Sequence, residues 1–165
     1  MRCWRDAPST TFARRDGGRF QIGPGPLATF GQYVQDQEHA NEAGGVLLGR
    51  HILDTSDIVV DEATGPLAGD RRHRSRFFRA RRRHQSIIDR VWSESGGTCT
   101  YLGEWHTHPE SEPTPSGVDW REWERKVWAD QFSDSLFFVI VGIDYVCVWE
   151  SCHCSAHLHA LERVI

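Results

Sequence analysis

Cys99-Thr100-Tyr101-Leu102-Gly103-Glu104-Trp105-His106-Thr107-His108-Pro109 is the most informative stretch of this chain. Cys99 to His106 alternates as a β-strand does, and proline follows close behind. Successive side chains on a strand point to opposite faces, so His106 and His108 share one face and both imidazoles can reach a single ion. Eleven residues past His108, Asp119 stands in the first turn of a predicted helix. The intervening loop, broken by Pro109, Pro113 and Pro115, can fold it back towards the histidines. Two histidines and one carboxylate make three protein ligands. Structural zinc sites close with four, whereas hydrolytic ones leave the fourth position to water and lower its pKa to about 7. The count therefore points to an open, hydrolytic centre.

Outward from this strand the remaining elements fall into order. Phe20 and Ile22 precede the turn-rich Gly23-Pro24-Gly25-Pro26, after which Leu27, Phe30, Tyr33, Val34 and Gln37 keep helical spacing to about Asn41. Residues 44–52 and 57–63, short and rich in Val, Leu and Ile, predict a strand pair. Ile87, Ile88, Val91 and Trp92 form the apolar stripe of a second helix, closed by Gly96-Gly97. Trp120, Trp123, Val127 and Trp128 are expected on one buried face of a third, before strands at 136–143 and 145–149. This order predicts an α/β fold, a single-domain mixed sheet flanked by helices. Residues 1–18 are expected as a loosely ordered N-terminal extension and 19–165 as the domain.

Composition agrees with one domain. A chain of 165 residues, 39% hydrophobic and with seven Trp and eight Phe, can bury roughly 70% of its unfolded surface and needs no disulfides. The longest apolar run, Leu136 to Ile143, is far short of the roughly 20 residues of a membrane-spanning helix. The N-terminus lacks the apolar core of a secretory signal, and five cysteines cannot all pair, so a cytoplasmic protein is expected. The net charge of −4 hides an asymmetry: 71–83 holds eight arginines and no acid. With a pI of 6.1, against above about 9 for a typical nucleic-acid-binding domain, a nucleic-acid partner is not expected. The run suggests instead an acidic protein surface.

Taken singly, the site residues have ordinary readings. A His-x-His on a strand is more often two unrelated histidines, and Ser116-x-x-Asp119 before an apolar helix is also a capping box. Together, His106-x-His108, seven residues, then Ser116-x-x-Asp119 resemble the signature of the JAMM (MPN/JAB) zinc metallopeptidases. Glu42-Ala43-Gly44-Gly45-Val46-Leu47-Leu48-Gly49 resembles that family's upstream glutamate segment. The longer string from Tyr101 to Pro109, continued by Pro115-Ser116 and Asp119-Trp120, is similar to the bacterial JAMM peptidases of CBASS anti-phage operons and of integrative and conjugative elements. The likeness covers about residues 20–150.

The resemblance implies a cytidine-deaminase-like fold and one zinc per chain, held by His106, His108 and Asp119. It implies hydrolysis of a peptide or isopeptide bond after the C-terminal residue of a ubiquitin-like or otherwise conjugated protein. Glu42 would be the general base and Ser116 the oxyanion donor. In CBASS systems the conjugate is a cyclic-nucleotide synthase (a nucleotidyltransferase) attached by an E1/E2-like system. Precursor processing of a ubiquitin-like or sulfur-carrier protein is the alternative reaction, and a non-catalytic MPN scaffold the alternative class, though scaffolds typically lack ligand positions that are all present here.

The remaining candidates are less specific. Arg79, Arg81, Arg82 and Arg83 are expected to meet substrate, and Trp105 and Trp120, which flank the ligands, to line its groove. Glu104 shares the strand face of His106, where a salt bridge explains it as well as a role behind the ligands. Cys147, Cys152, His153, Cys154, His157 and His159 match no common zinc knuckle, and buried thiols on a strand account for them. Cys99 has no base beside it and no task in a zinc mechanism.

Overall fold

A computed structural model describes residues 4–130, 132–152 and 157–164. After a 3-10 turn at Trp4–Asp6, the chain runs β1 (Thr10–Ala13), β2 (Arg19–Ile22), α1 (Pro24–Gly31), β3 (Gly44–His51) and β4 (Ile58–Ala63). A small hairpin follows, β5 (Arg71–His73) and β6 (Arg76–Phe78), and then α2 (Arg81–Glu94), β7 (Thr100–Thr107) and α3 (Gly117–Ala129). The last elements are β8 (Ser135–Val141), β9 (Val146–Cys152), β10 (Leu158–Ala160) and β11 (Glu162–Arg163). Nine strands form one sheet in the order β10-β9-β8-β7-β3-β4-β2-β1-β11. β2–β4 and β7–β8 are parallel and the other pairs antiparallel, so the sheet is mixed, as expected.

Side-chain alternation sorts the layers. On β8, Phe137, Val139 and Val141 pack with Leu27 and Phe30 of α1, whereas Leu136, Phe138 and Ile140 pack with Trp123 and Val127 of α3. On β3, Leu47 joins the α1 side, while Val46 and Leu48 meet Val91 of α2. One helix therefore covers one face and two cover the other. A strand buried on both faces reads as a continuous apolar run, as 135–141 does. Gly103 sits where the β3–β7 register shifts. Its φ is +147°, and a Cβ there would stand 1.8 Å from the Phe137 carbonyl oxygen, so only glycine fits.

Four expectations need correction. The first helix spans Pro24–Gly31 and does not reach Asn41: proline is tolerated in a first helical turn, so the Gly-Pro-Gly-Pro segment begins the helix and does not merely precede it. Residues 4–18 are not a loose extension. Trp4 is fully buried, and β1 pairs with β2 and, through Phe12 and Ala13, with β11 at the other end of the chain. Trp128 is 75% exposed, because it stands one residue beyond the buried Val127 and so about 100° around the helix. The arginine stretch, assigned no element in the sequence, makes the β5–β6 hairpin and opens α2.

Candidate functional site

The site forms where β3, β7 and α3 begin or end. Gly44 lies opposite His106 in the β3–β7 pairing. Just beyond, the Thr107 N–H donates to the Ala43 carbonyl (2.9 Å) and the Ala43 N–H to Thr107 Oγ1 (3.0 Å). This pairing sets Glu42 beside the end of β7. The His108 N–H donates to the Val141 carbonyl (3.0 Å), so His108 stays in line with the strand. Buried Gln35 closes the corner, accepting from the Thr107 hydroxyl (2.9 Å) and donating to the Ala40 and Arg74 carbonyls (3.0 and 2.8 Å).

The two imidazoles converge: His106 Nε2 and His108 Nε2 are 3.1 Å apart. Asp119 Oδ1 is 3.3 Å from His106 Nε2, and Asp119 Oδ2 is 3.5 Å from His108 Nε2. Ligands at 2.0–2.1 Å around a tetrahedral ion stand about 3.3 Å from one another, so the spacing of the two imidazole nitrogens and that of His106 Nε2 from Asp119 Oδ1 match such edges, the contact of His108 runs to the other carboxylate oxygen, and the donor set fits a metal. Glu42, His106 and His108 each offer an atom within 4.8 Å of the others. Asp119 is brought in by the start of α3. Ser116 is the N-cap, and Ser116 and Asp119 form a complete capping box. The cap and the carboxylate expected beside the histidines are thus one arrangement, and the Ser116 hydroxyl, which accepts from the Asp119 N–H, keeps its own proton to donate.

Electrostatics divides the labour among these groups. Burial lifts the Glu42 carboxyl to about 7, a value suited to accepting and returning a proton at neutral pH. Burial would also raise Asp119, but hydrogen bonds from both imidazoles outweigh it and hold the carboxyl well below the usual range. His106 is pushed down by burial, which favours the neutral, ligating form; for His108 burial is outweighed by Asp119, and its pKa rises.

A cavity of about 560 Å³ opens over these groups and is lined by Glu42, His106, His108, Ser116 and Asp119, by Ser75–Phe78 of the hairpin, and by Trp105. Trp105 is nearly all core: it packs on Phe30 at 4.7 Å and its Nε1–H donates to the Thr64 carbonyl (2.8 Å). Trp120 packs edge-on against Trp123 (5.5 Å), away from the cavity lining. Arg79 turns inward to Glu104 (2.6 Å), and Glu104 also binds Lys126 and accepts from the Tyr101 hydroxyl (3.3 Å). Glu104 therefore ties β7 to the hairpin's exit and to α3. Arg81, Arg82 and Arg83 lie exposed on the first turn of α2, outside the cavity. Cys147 is half-buried; His153 and Cys154 lie outside the described residues, as does the side chain of Cys152.

Sequence reasoning missed the hairpin's part in the site. The Phe77 main chain lies close enough to the Glu42 carboxylate to favour its charged form, and Phe77 packs where Gly44 leaves room: a Cβ at Gly44 would come 2.7 Å from the Phe77 ring. Gly44, two residues after Glu42, was the visible signal of that close approach.

Comparison with known proteins agrees with this geometry. The family of prokaryotic homologues of the JAB domain matches residues 33–152. A "CD-NTase/cGAS isopeptidase" of Pseudomonas aeruginosa is 46% identical over 116 residues, covering 70% of this chain and 72% of that protein. One of the same name from Vibrio cholerae is 41% identical, covering 67% of each. A "probable metalloprotease" of Sinorhizobium fredii is 36% identical over 50% of this chain and 51% of its own. The solution structure of a Desulfitobacterium hafniense protein superposes with a TM-score of 0.52 at 21% identity, covering 79% of this chain and 81% of that one, a likeness of fold. The converging His106, His108 and Asp119 and a family match across most of the sequence lead to one conclusion: the chain belongs to the prokaryotic JAB-domain branch of the JAMM family.

Proposed function

We propose that this protein is a zinc-dependent isopeptidase that hydrolyses the bond after the C-terminal residue of a conjugated protein. The observation that carries the reading is the spacing of His106, His108 and Asp119, 3.1 to 3.5 Å between donor atoms, with Glu42 beside them in an open cavity. The relatives named CD-NTase/cGAS isopeptidases support a nucleotidyltransferase of the cGAS type as the conjugated protein. In this reading an E1/E2-like system joins it to its target. Among the described residues no helix is long and apolar enough to cross a membrane. The free thiols of Cys99 and Cys147 support a reducing, cytoplasmic setting for the reaction.

In this mechanism a zinc ion held by His106, His108 and Asp119 would supply Lewis-acid activation of water and of the scissile carbonyl. Glu42 removes the proton from the attacking water and passes it to the leaving amine; its carboxyl, at about 7, serves both steps. Ser116 donates its hydroxyl proton to the oxyanion of the tetrahedral intermediate. Asp119 stays ionised throughout, which its capping and imidazole bonds favour. Two proposed contacts lie outside the chemistry: Arg81, Arg82 and Arg83 would meet an acidic surface of the substrate, and Trp105 would border the substrate tail.

Metal analysis and cleavage assays test this reading. One zinc per chain is expected, lost in a His106→Ala/His108→Ala double variant. Glu42→Gln should keep zinc and lose cleavage of a nucleotidyltransferase–lysine isopeptide conjugate by about 10²-fold or more. A zinc-free protein that cleaves at full rate, or an unimpaired Glu42→Gln, overturns the reading. Faster cleavage of a linear C-terminal extension than of the isopeptide would point to precursor processing.

A further inference from the structure

We propose that Arg72 is a positioning residue for Glu42, so that one arginine of the basic run acts on catalysis through the general base and not through substrate contact. The inference rests on the reading of Glu42 as general base given above. Residues 32–43 have no helix or strand of their own, and the Ala43–Thr107 pairing holds only the residue after Glu42. The hairpin holds Glu42 itself. The Glu42 N–H donates to the His73 carbonyl (2.8 Å), Arg72 Nε donates to the Glu42 carbonyl (3.0 Å), and Arg72 Nη2 donates to the Asn41 carbonyl (3.1 Å). The Arg72 guanidinium also lies over the Tyr33 ring, 5.5 Å from its centroid, a contact that helps to hold it in place.

Register sharpens the point. Arg72 stands directly opposite Phe77 in the hairpin. Arg72 grips the main chain of Glu42, while the Phe77 main chain lies beside its carboxylate. Other arginines of the run differ: Arg71 and Arg76 stack on Phe78 at 5.0 and 4.7 Å, and Arg79 binds Glu104. Arg72 is the member whose donors end on Glu42. A general base must sit within hydrogen-bond reach of the proton it takes, and a displacement of about 1 Å at such a group can cost about 10²-fold in rate.

Steady-state kinetics on the isopeptide conjugate, expressed per folded and zinc-loaded chain, decide the matter. Arg72→Met keeps the apolar stem over Tyr33 and removes every donor. We expect kcat to fall about 10- to 100-fold with KM within about twofold and zinc content unchanged. Arg72→Lys, with one donor on a similar stem, should recover part of the loss. A Glu42→Gln/Arg72→Met double variant should lose no more than Glu42→Gln alone, because both changes act on one step. An undiminished kcat, or a raised KM at constant kcat, overturns the proposal; should the Met variant melt below the assay temperature, the same comparison is made at a temperature at which it stays folded. Full activity in Glu42→Gln would instead refute the general-base reading itself, so the two failures are distinct.

Discussion

Ser116 and Asp119 bond to each other in both directions: the Ser116 N–H donates to Asp119 Oδ2 at 2.6 Å, and the Asp119 N–H donates to Ser116 Oγ at 3.2 Å. The carboxylate that reaches His106 and His108 is therefore aimed by the start of a helix. Its position is built into the fold before any ion binds.

Ser116 then has two separable contributions. Ser116→Ala should lose the cap, about 1 kcal/mol or about 2–4 °C in Tm, and also about 10²-fold or more in kcat through the missing oxyanion donor. Ser116→Gly should recover most of the stability, since glycine at an N-cap costs only a few tenths of a kcal/mol, and none of the rate. Thermal unfolding and kcat on the three proteins check this. Recovery of rate together with stability in the glycine variant would leave Ser116 only a structural part.

Cys147 offers a pH test outside the site. Burial, followed by the nearby Glu112 charge, pushes its thiol up to about 11 from an ordinary 9.0. The folded protein thus favours the neutral thiol, and that stabilisation is complete below pH 9 and lost as pH rises through about 11. At pH 8 roughly one molecule in a thousand carries the thiolate, so iodoacetamide should label Cys147 about 100-fold more slowly than free cysteine. The rate should climb about tenfold per pH unit to pH 10. Mass spectrometry of the Cys147 peptide measures it, and labelling at the free-cysteine rate at pH 8 would contradict burial of the thiol.

How much of this was legible in the sequence depended on whether the cause was local. The β8 run 135–141 declared itself because both of its faces are buried, and the His106/His108 pair because strand alternation alone puts two side chains on one face. Ser116-x-x-Asp119 carried its capping geometry in its spacing. The β5–β6 hairpin did not show, since Arg71, Arg72 and Arg76 are poor strand signals and their partners, the carbonyls of Asn41 and Glu42 and the ring of Phe78, become neighbours only in the fold. β1 was hidden for the same reason. Four residues, Thr10–Ala13, pair along their length with β2, and Phe12 and Ala13 also pair with Arg163 and Glu162, which return from the far end of the chain.

The end of β1 is also tied to β9 by a buried ion pair. Arg14, just past β1, donates to Glu150 of β9 at 2.7 Å, with side-chain exposures of only 8% and 6%, and its guanidinium lies 5.5 Å over the Phe137 ring. Removing one partner strands the other charge in a poorly solvated place, so Arg14→Ala should cost about 3–5 kcal/mol in urea unfolding. Arg14→Met combined with Glu150→Gln should recover most of that, because no buried charge is left unpaired and Asp16, the other partner of Arg14, is exposed. Equal loss in the single and double variants would mean that packing, and not charge, sets the cost.

The outer arginines separate from Arg72 by their kinetics. Arg81, Arg82 and Arg83 stand exposed on the first turn of α2, where the helix carries no acidic residue and three cations oppose its dipole. An acidic substrate surface docked there would relieve that repulsion, and its loss would weaken ground state and transition state alike. Replacing the three with Gln should therefore raise KM about 3- to 10-fold at low ionic strength, leave kcat within twofold, and flatten the dependence of kcat/KM on salt. Removing cations from a helix N-terminus should also raise Tm slightly, which rules out a damaged fold as the cause of the higher KM. Kinetics on the conjugate at 50 and 300 mM salt, beside a melting curve, provide the measurement. An unchanged KM with an unchanged salt slope would place substrate recognition elsewhere on the rim of the cavity, with Arg76 the remaining arginine that lines it.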